Sequence, residues 1–141
     1  MLVRLLYASR VAPSVNTDAL SAILRSSRAH NAKAGVTGVL CCSEGIFMQS
    51  LEGGRSAVSA LFNKIASDAR HSDVVLLSYE EISERRFTGW AMGQVNVSRL
   101  NPALLLKYSE TAELDPYAVS GAVSMALFDE LVATASVTCA S

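Results

Sequence analysis

The sequence predicts an α+β domain: a ferredoxin-like β-α-β-β-α-β-β sheet with two helices on one face and a C-terminal helical cap on the other. Three observations carry this. Strand-length apolar runs and helical spacings follow one another in that order. Several strands are apolar on both faces: Leu6 alternates with Leu5 and Tyr7, and Ile46 and Met48 alternate with Phe47 and Leu51. Such a sheet needs cover on both sides. The tail from Pro102 onward carries an apolar stripe that can supply the second cover.

Residues 3–9 (VRLLYAS) read as a first strand, closed by a polar segment containing Pro13. Asn16 or Thr17 can cap the next helix, Leu20, Ile23 and Leu24 form its apolar face, and Gly35 stops it. Residues 36–42 (VTGVLCC) and 46–52 (IFMQSLE) read as a hairpin turning at Ser43-Glu44-Gly45. Gly53 and Gly54 lead into a second helix, where Val58, Leu61, Phe62 and Ile65 recur at helical steps. Asp68 to His71 are expected to end that helix. Residues 73–79 (DVVLLSY) form a fourth strand and the segment around Trp90 and Met92 a fifth. In the tail, Asp115 and Pro116 make a helix start, followed by Val119, Val123, Leu127 and Leu131 with Phe128 beside them. Residues 1–97 are thus expected to be the core, and residues 98–141 a helical cap without independent stability.

Composition narrows the functions. Of 141 residues, 50% are hydrophobic and only 18% charged, against about 25% charged in a typical soluble domain. The apolar excess must enter the core, a ligand cavity or an interface. No run reaches the ~18 residues of a membrane span. Twelve Lys and Arg against 13 Asp and Glu give a net charge of −1, so nothing favours a phosphate backbone. At 6%, aromatic residues are too sparse for a base-stacking platform. The N-terminus has no stretch of signal-peptide length. The three Cys form no zinc pattern, and the adjacent Cys41 and Cys42 point to opposite faces of a strand. A reducing, cytoplasmic setting is expected.

A few residues stand out chemically. Tyr7 shares a strand face with Leu5 and Val3, which suits a core tyrosine with one hydroxyl partner. Gln49 falls between Phe47 and Leu51 in the alternation. It either edges onto solvent or faces inward, and inward it needs a Tyr hydroxyl or a polar ligand as partner. Asn31 ends the first helix beside a surface His30. Arg70 and His71 suit a helix C-terminus, where cations complement the dipole. Arg85 and Arg86 read as a solvated pair, and Trp90 and Met92 as core. No Ser/His/Asp or Cys/His set, phosphate loop or spaced carboxylate pair is present.

In order, however, these segments resemble one family, the BLUF domains, flavin-binding sensors of blue light. The resemblance lies in YAS (7–9), SRAHN ending at Asn31, GVTGVL (35–40), GIFMQSLEG (45–53), DARH (68–71) and RFTGWAM (86–92). Val36 stands where the family more often has Ile. The final third matches no fixed motif and is similar to the variable helical cap of short, single-domain members.

The resemblance implies an oxidised flavin, FAD with FMN and riboflavin as alternatives, lying between the two helices against the sheet. Asn31 would hold the ring's polar edge, Arg70 and His71 would lie near its O2 or ribityl side, and Ile23, Leu40, Phe47 and Ile65 would wall it. Tyr7 and Gln49 would be the photoactive pair. By the family mechanism, excited flavin would take an electron from Tyr7, a proton would follow through the Gln49 amide, and back-transfer would leave Gln49 rotated or tautomerised. Its new hydrogen bond to the flavin shifts absorption to longer wavelength. Trp90 and Met92 would lie on the signal-output strand. The output is expected to be non-enzymatic and to reach a separate effector protein, with self-association as another use of the apolar surface. The main alternative is a ferredoxin-like regulatory module binding another small ligand. Two further readings are a small hydrolase using Arg10 and Asn31 on an acyl phosphate, and a cysteinyl-adduct photosensor using Cys41 or Cys42.

Overall fold

A computed structural model of the chain describes residues 1–12, 17–86, 92–95, 101–134 and 137–139. Trp90, Pro13, Asn16 and Val97, and the side chain of Leu20, lie outside the described residues. Strand β1 (Leu2–Val11) leads to helix α1 (Thr17–Ala34), the hairpin β2 (Thr37–Ser43) and β3 (Ile46–Gly54), helix α2 (Arg55–Ala66) and strand β4 (His71–Ile82). Strand β5 (Gly93–Val95), helices α3 (Pro102–Tyr108) and α4 (Gly121–Thr134) and a short β6 (Val137–Cys139) follow. The sheet order is β4-β1-β3-β2-β5-β6. β1 runs antiparallel to both β3 and β4, while β5 lies parallel to β2 through Val39↔Gly93 and Leu40↔Gln94. The expected architecture is present, and β6 extends it by pairing with β5.

Both faces of the sheet are apolar, as the strand alternation requires. On one face Val3, Leu5, Tyr7, Leu40, Phe47 and Leu51 pack with Leu24 of α1 and Val58 of α2. On the other, Leu6, Ala8, Val39, Cys41, Ile46 and Met48 pack under Leu105 of α3 and Leu127, Phe128 and Leu131 of α4. The hairpin turns through Glu44 (φ 50°) and Gly45 (φ 78°), the two left-handed residues that match the twist of paired strands. Gly35, at φ 70°, releases the chain from α1. Among the described residues, no helix is long and apolar enough to cross a membrane.

Three expectations need correction. Helix α2 stops at Ala66, before the DARH segment. The Ser67 hydroxyl donates to the Asn63 carbonyl at 2.6 Å, and the Asp68 carboxylate accepts the Arg70 N–H at 2.9 Å. These local side-chain bonds compete with helix continuation, so His71 opens β4, opposite Val11. Helix α4 begins at Gly121, not at Asp115. The Asp115 carboxylate instead accepts the Tyr117 N–H at 3.0 Å in a turn, and the Ser120 hydroxyl accepts the Val123 N–H at 3.2 Å. Only glycine fits at 121, because a Cβ there would lie 1.9 Å from the Leu77 carbonyl oxygen of β4.

The third correction concerns charge. Arg85 and Arg86 are not simply solvated: Arg85 Nη1 donates to Thr37 Oγ1 at 3.2 Å, and the Arg86 N–H donates to the Glu52 carboxylate at 2.9 Å. Glu52 is fully buried on β3 and pairs with Arg4 of β1 at 2.8 Å, while Arg4 also reaches Glu80 of β4 at 2.7 Å. Arg86 further pairs with Asp129 of α4. This network ties three strands to the start of the β4–β5 connection and to the cap.

Candidate functional site

The strand register places Tyr7 directly opposite Gln49, and Gln49 directly opposite Leu40. Side chains facing each other across antiparallel strands stand close enough to interact. Both point to the α1/α2 face. Tyr7 is fully buried and Gln49 5% exposed, so Gln49 faces inward rather than out to solvent. The Tyr7 hydroxyl donates to Gln49 Oε1 at 2.5 Å, and Gln49 Nε2 donates to Met92 Sδ at 3.1 Å. Burial pushes the Tyr7 phenol well above its ordinary pKa, keeping it neutral. Met92, at the entrance to β5, is fully buried. It packs on Gly38, where a Cβ would come within 3.3 Å of the Met92 methyl.

Above this pair a cleft opens between α1, α2 and the sheet, concave and with a mainly apolar lining surface set with polar groups, as small-molecule sites are. Tyr7, Gln49, Leu40 and Phe47 form its floor, Ile23 and Asn31 enter from α1, Ile65 from α2, and Arg70 and His71 from the approach to β4. Asn31 is 1% exposed, within the last turn of α1. Its own backbone carbonyl accepts the Val36 N–H at 2.9 Å, closing the helix onto β2. Tyr7, Phe47 and His71 form an aromatic floor: Tyr7 and Phe47 stack with centroids 6.4 Å apart, and His71 meets Phe47 edge-on at 5.0 Å.

The mouth is polar. Arg70 folds back on Asp68, its Nε 3.0 Å from both carboxylate oxygens, and this hydrogen bonding holds the Asp68 carboxyl down at about 2. His71 is half-buried and its pKa is lowered, chiefly by burial. Its Nδ1 lies 2.8 Å from the Ser9 hydroxyl. Ser9 was not singled out from sequence, although it follows Tyr7 by two positions and so shares its face. Arg28, Ser26, Ser27 and Lys64 were also missed. Arg28 donates to the Met92 backbone carbonyl at 3.1 Å, and its only sequence signal is helical spacing to Asn31.

The rival chemistries find little support. Cys41 lies on the cap face, where burial first and Cys42 second push its thiol up to about 12, far from a reactive thiolate. Cys42 is half-buried and does not line the cleft. Arg10 pairs with Asp73 at 3.3 Å and lies over the Tyr117 ring, away from Asn31. Among the described residues no His, Cys, Asp and Glu group could hold a metal ion.

Comparison with known proteins agrees with this geometry. Residues 2–93 match the BLUF family model, described as sensors of blue-light using FAD. The chain is 38% identical over 86 residues to photoactivated adenylate cyclase subunit beta of Euglena longa, covering 61% of this chain and 10% of that protein. It therefore spans about a tenth of the length of such curated relatives. Among solved structures it is similar to BlsA in its photo-activated state, with TM-score 0.85 and 30% identity over 99% of this chain and 100% of that one. It is also similar to BlrB, a BLUF protein in its dark state, with TM-score 0.79 and 34% identity over 94% and 95% of the two chains. The family match spans β1 to β4, the helices α1 and α2 and the cleft between them, and the chain belongs to the BLUF family of blue-light sensors that use flavin.

Proposed function

We propose that this chain is a photosensor whose switch is the hydrogen-bonded series Tyr7–Gln49–Met92, and whose output is contact with a separate protein rather than catalysis. The observation that carries the reading is the 2.5 Å bond from the Tyr7 hydroxyl to Gln49 Oε1 on the cleft floor, continued from the Gln49 amide to the Met92 sulfur. The donor set fits a flavin ring. The Asn31 amide offers a donor and an acceptor to an imide edge, and Ile23, Leu40, Phe47 and Ile65 offer apolar walls. Arg70 and His71 would stand toward the ribityl side. FAD is the expected form; FMN and riboflavin carry the same ring. Bound oxidised flavin would supply a blue-absorbing ring that becomes a strong one-electron acceptor when excited.

Tyr7 is placed to lose an electron because its proton has somewhere to go. A buried phenol cannot keep a positive charge, and its O–H already points at Gln49 Oε1. The proton would pass to that oxygen as the electron leaves, and the return of both electron and proton would restore the Tyr7 phenol and leave the Gln49 amide, unchanged in composition, turned or tautomerised. Gln suits this role because its two ends exchange donor and acceptor within nearly the same volume. The rearranged amide no longer gives its N–H to Met92 Sδ, so the change reaches the entrance of β5. A buried hydrogen-bond change is worth ~1–3 kcal/mol, whereas reversing a 1:99 equilibrium takes about 5.5 kcal/mol. The output population therefore shifts in part rather than completely. Helix α4 packs against β4, and α3 and α4 together would be the surface through which a partner or a second copy senses the shift.

The test is an absorption spectrum before and after blue light. A small, reversible red shift is expected, and Tyr7→Phe and Gln49→Leu should each abolish it while flavin stays bound. A normal photocycle in either variant contradicts the assignment. Failure to take up any flavin favours the regulatory-module alternative.

A further inference from the structure

Met92 is held at both ends. Its sulfur accepts the Gln49 amide N–H, and its backbone carbonyl accepts the Arg28 Nε–H at the same distance, 3.1 Å. Arg28 sits in α1 three residues before Asn31, so the two share one side of the helix. It is half-buried, and among the described residues it makes no ion pair. Its directional donor goes instead to a carbonyl on the sheet. That carbonyl belongs to the residue just before a strand of only three residues, joined to β2 through two register positions and to the equally short β6 through three. Met92 itself precedes both ladders, so a charge-assisted bond to its carbonyl helps to fix where the strand begins.

We propose that Arg28 is a positioning residue for the switch: by fixing the Met92 backbone it keeps the sulfur in place to recapture the Gln49 amide, and so sets the rate of dark recovery. This rests on the reading of Tyr7 and Gln49 above. When Gln49 rearranges, its N–H leaves the sulfur, and an amide oxygen facing a thioether would set two acceptors against each other. The Met92 side chain must then shift. With its carbonyl held by Arg28, the backbone does not follow, and the sulfur remains close to its dark position. Without Arg28, the start of β5 relaxes along with the side chain, and the return slows.

The experiment uses the full flavin-loaded chain, pulsed with blue light and followed by absorption in the dark, as wild type, Arg28→Met, Met92→Ala and the double variant. Arg28→Met is expected to keep flavin and the initial red shift but to recover roughly tenfold more slowly, the scale of a partly exposed charge-assisted bond. In the Met92→Ala background the carbonyl remains but no sulfur is left to position, so the same change should alter recovery by less than about twofold. Arg28→Lys keeps a cationic donor and should slow recovery less. The same cycle run with Arg28→Lys decides the matter if Arg28→Met loses its fold. Equal slowing in both backgrounds, or slowing in neither, overturns the role of Arg28 while leaving the photocycle standing. A wild type with no red shift overturns the Tyr7–Gln49 reading together with it.

Discussion

Replacing Glu52 with alanine should unsettle this protein more than any loss of apolar bulk at its surface. The carboxylate is fully buried and pairs with Arg4, itself 5% exposed, at 2.8 Å. Removing one partner of a buried pair typically costs ~3–5 kcal/mol, because the other charge is left uncompensated. Here the lower end applies, because Arg4 still holds Glu80 at 2.7 Å. The Arg86 N–H loses an acceptor too, but Arg86 is exposed and water can replace it. The expected loss is therefore ~3 kcal/mol, or about 10 °C in Tm for a chain of this size. Urea unfolding of the full chain at fixed flavin concentration should show a lower midpoint with an unchanged slope. Arg4→Met combined with Glu52→Leu removes both charges and should lie within ~1 kcal/mol of wild type. A loss under ~1 kcal/mol in Glu52→Ala, or a double variant as damaged as the single one, would refute the reasoning.

Two further outcomes follow from packing and titration. Gly121→Ala should destabilise by ~1–3 kcal/mol, since its Cβ would sit 1.9 Å from the Leu77 carbonyl and push α4 from β4. Gly54→Ala, with nothing within 4 Å, should cost less, only the preference of the α2 N-cap for Gly over Ala, and serves as the comparison. Because burial lowers the His71 pKa, the unfolded chain binds a proton that the folded chain resists. Stability should therefore be fully present above about pH 6.5 and fall as pH drops below it toward the lowered folded value. Urea midpoints at a series of pH values measure this, and His71→Gln should flatten that part of the profile.

The succession of elements and the two-faced sheet were legible because each segment carries its own periodic record of which faces are apolar. Tyr7 and Gln49 were legible as candidates for the same reason. Whether Gln49 faced solvent was not, because its exposure depends on α1 and α2 closing over β3. The ends of α2 and α4 were misplaced where local bonds at Ser67, Asp68 and Ser120 outweighed the apolar pattern. The Arg4–Glu52 pair left no trace in the alternation, because its members lie 48 residues apart.

The sequence by itself determined the elements from β1 to β5 and the last helix, their succession, the need for cover on both faces and the family, since these are written in local periodicity and in motifs that stay in register along the chain; α3 and β6 were not among them. Only the tertiary structure decided that Tyr7 lies opposite Gln49, that Met92 comes within reach of Gln49 and Arg28, and that a buried charge network lies beneath the cap. Those contacts join residues 42 to 76 positions apart. Bringing such residues together is settled by strand register and helix docking, which no single segment encodes.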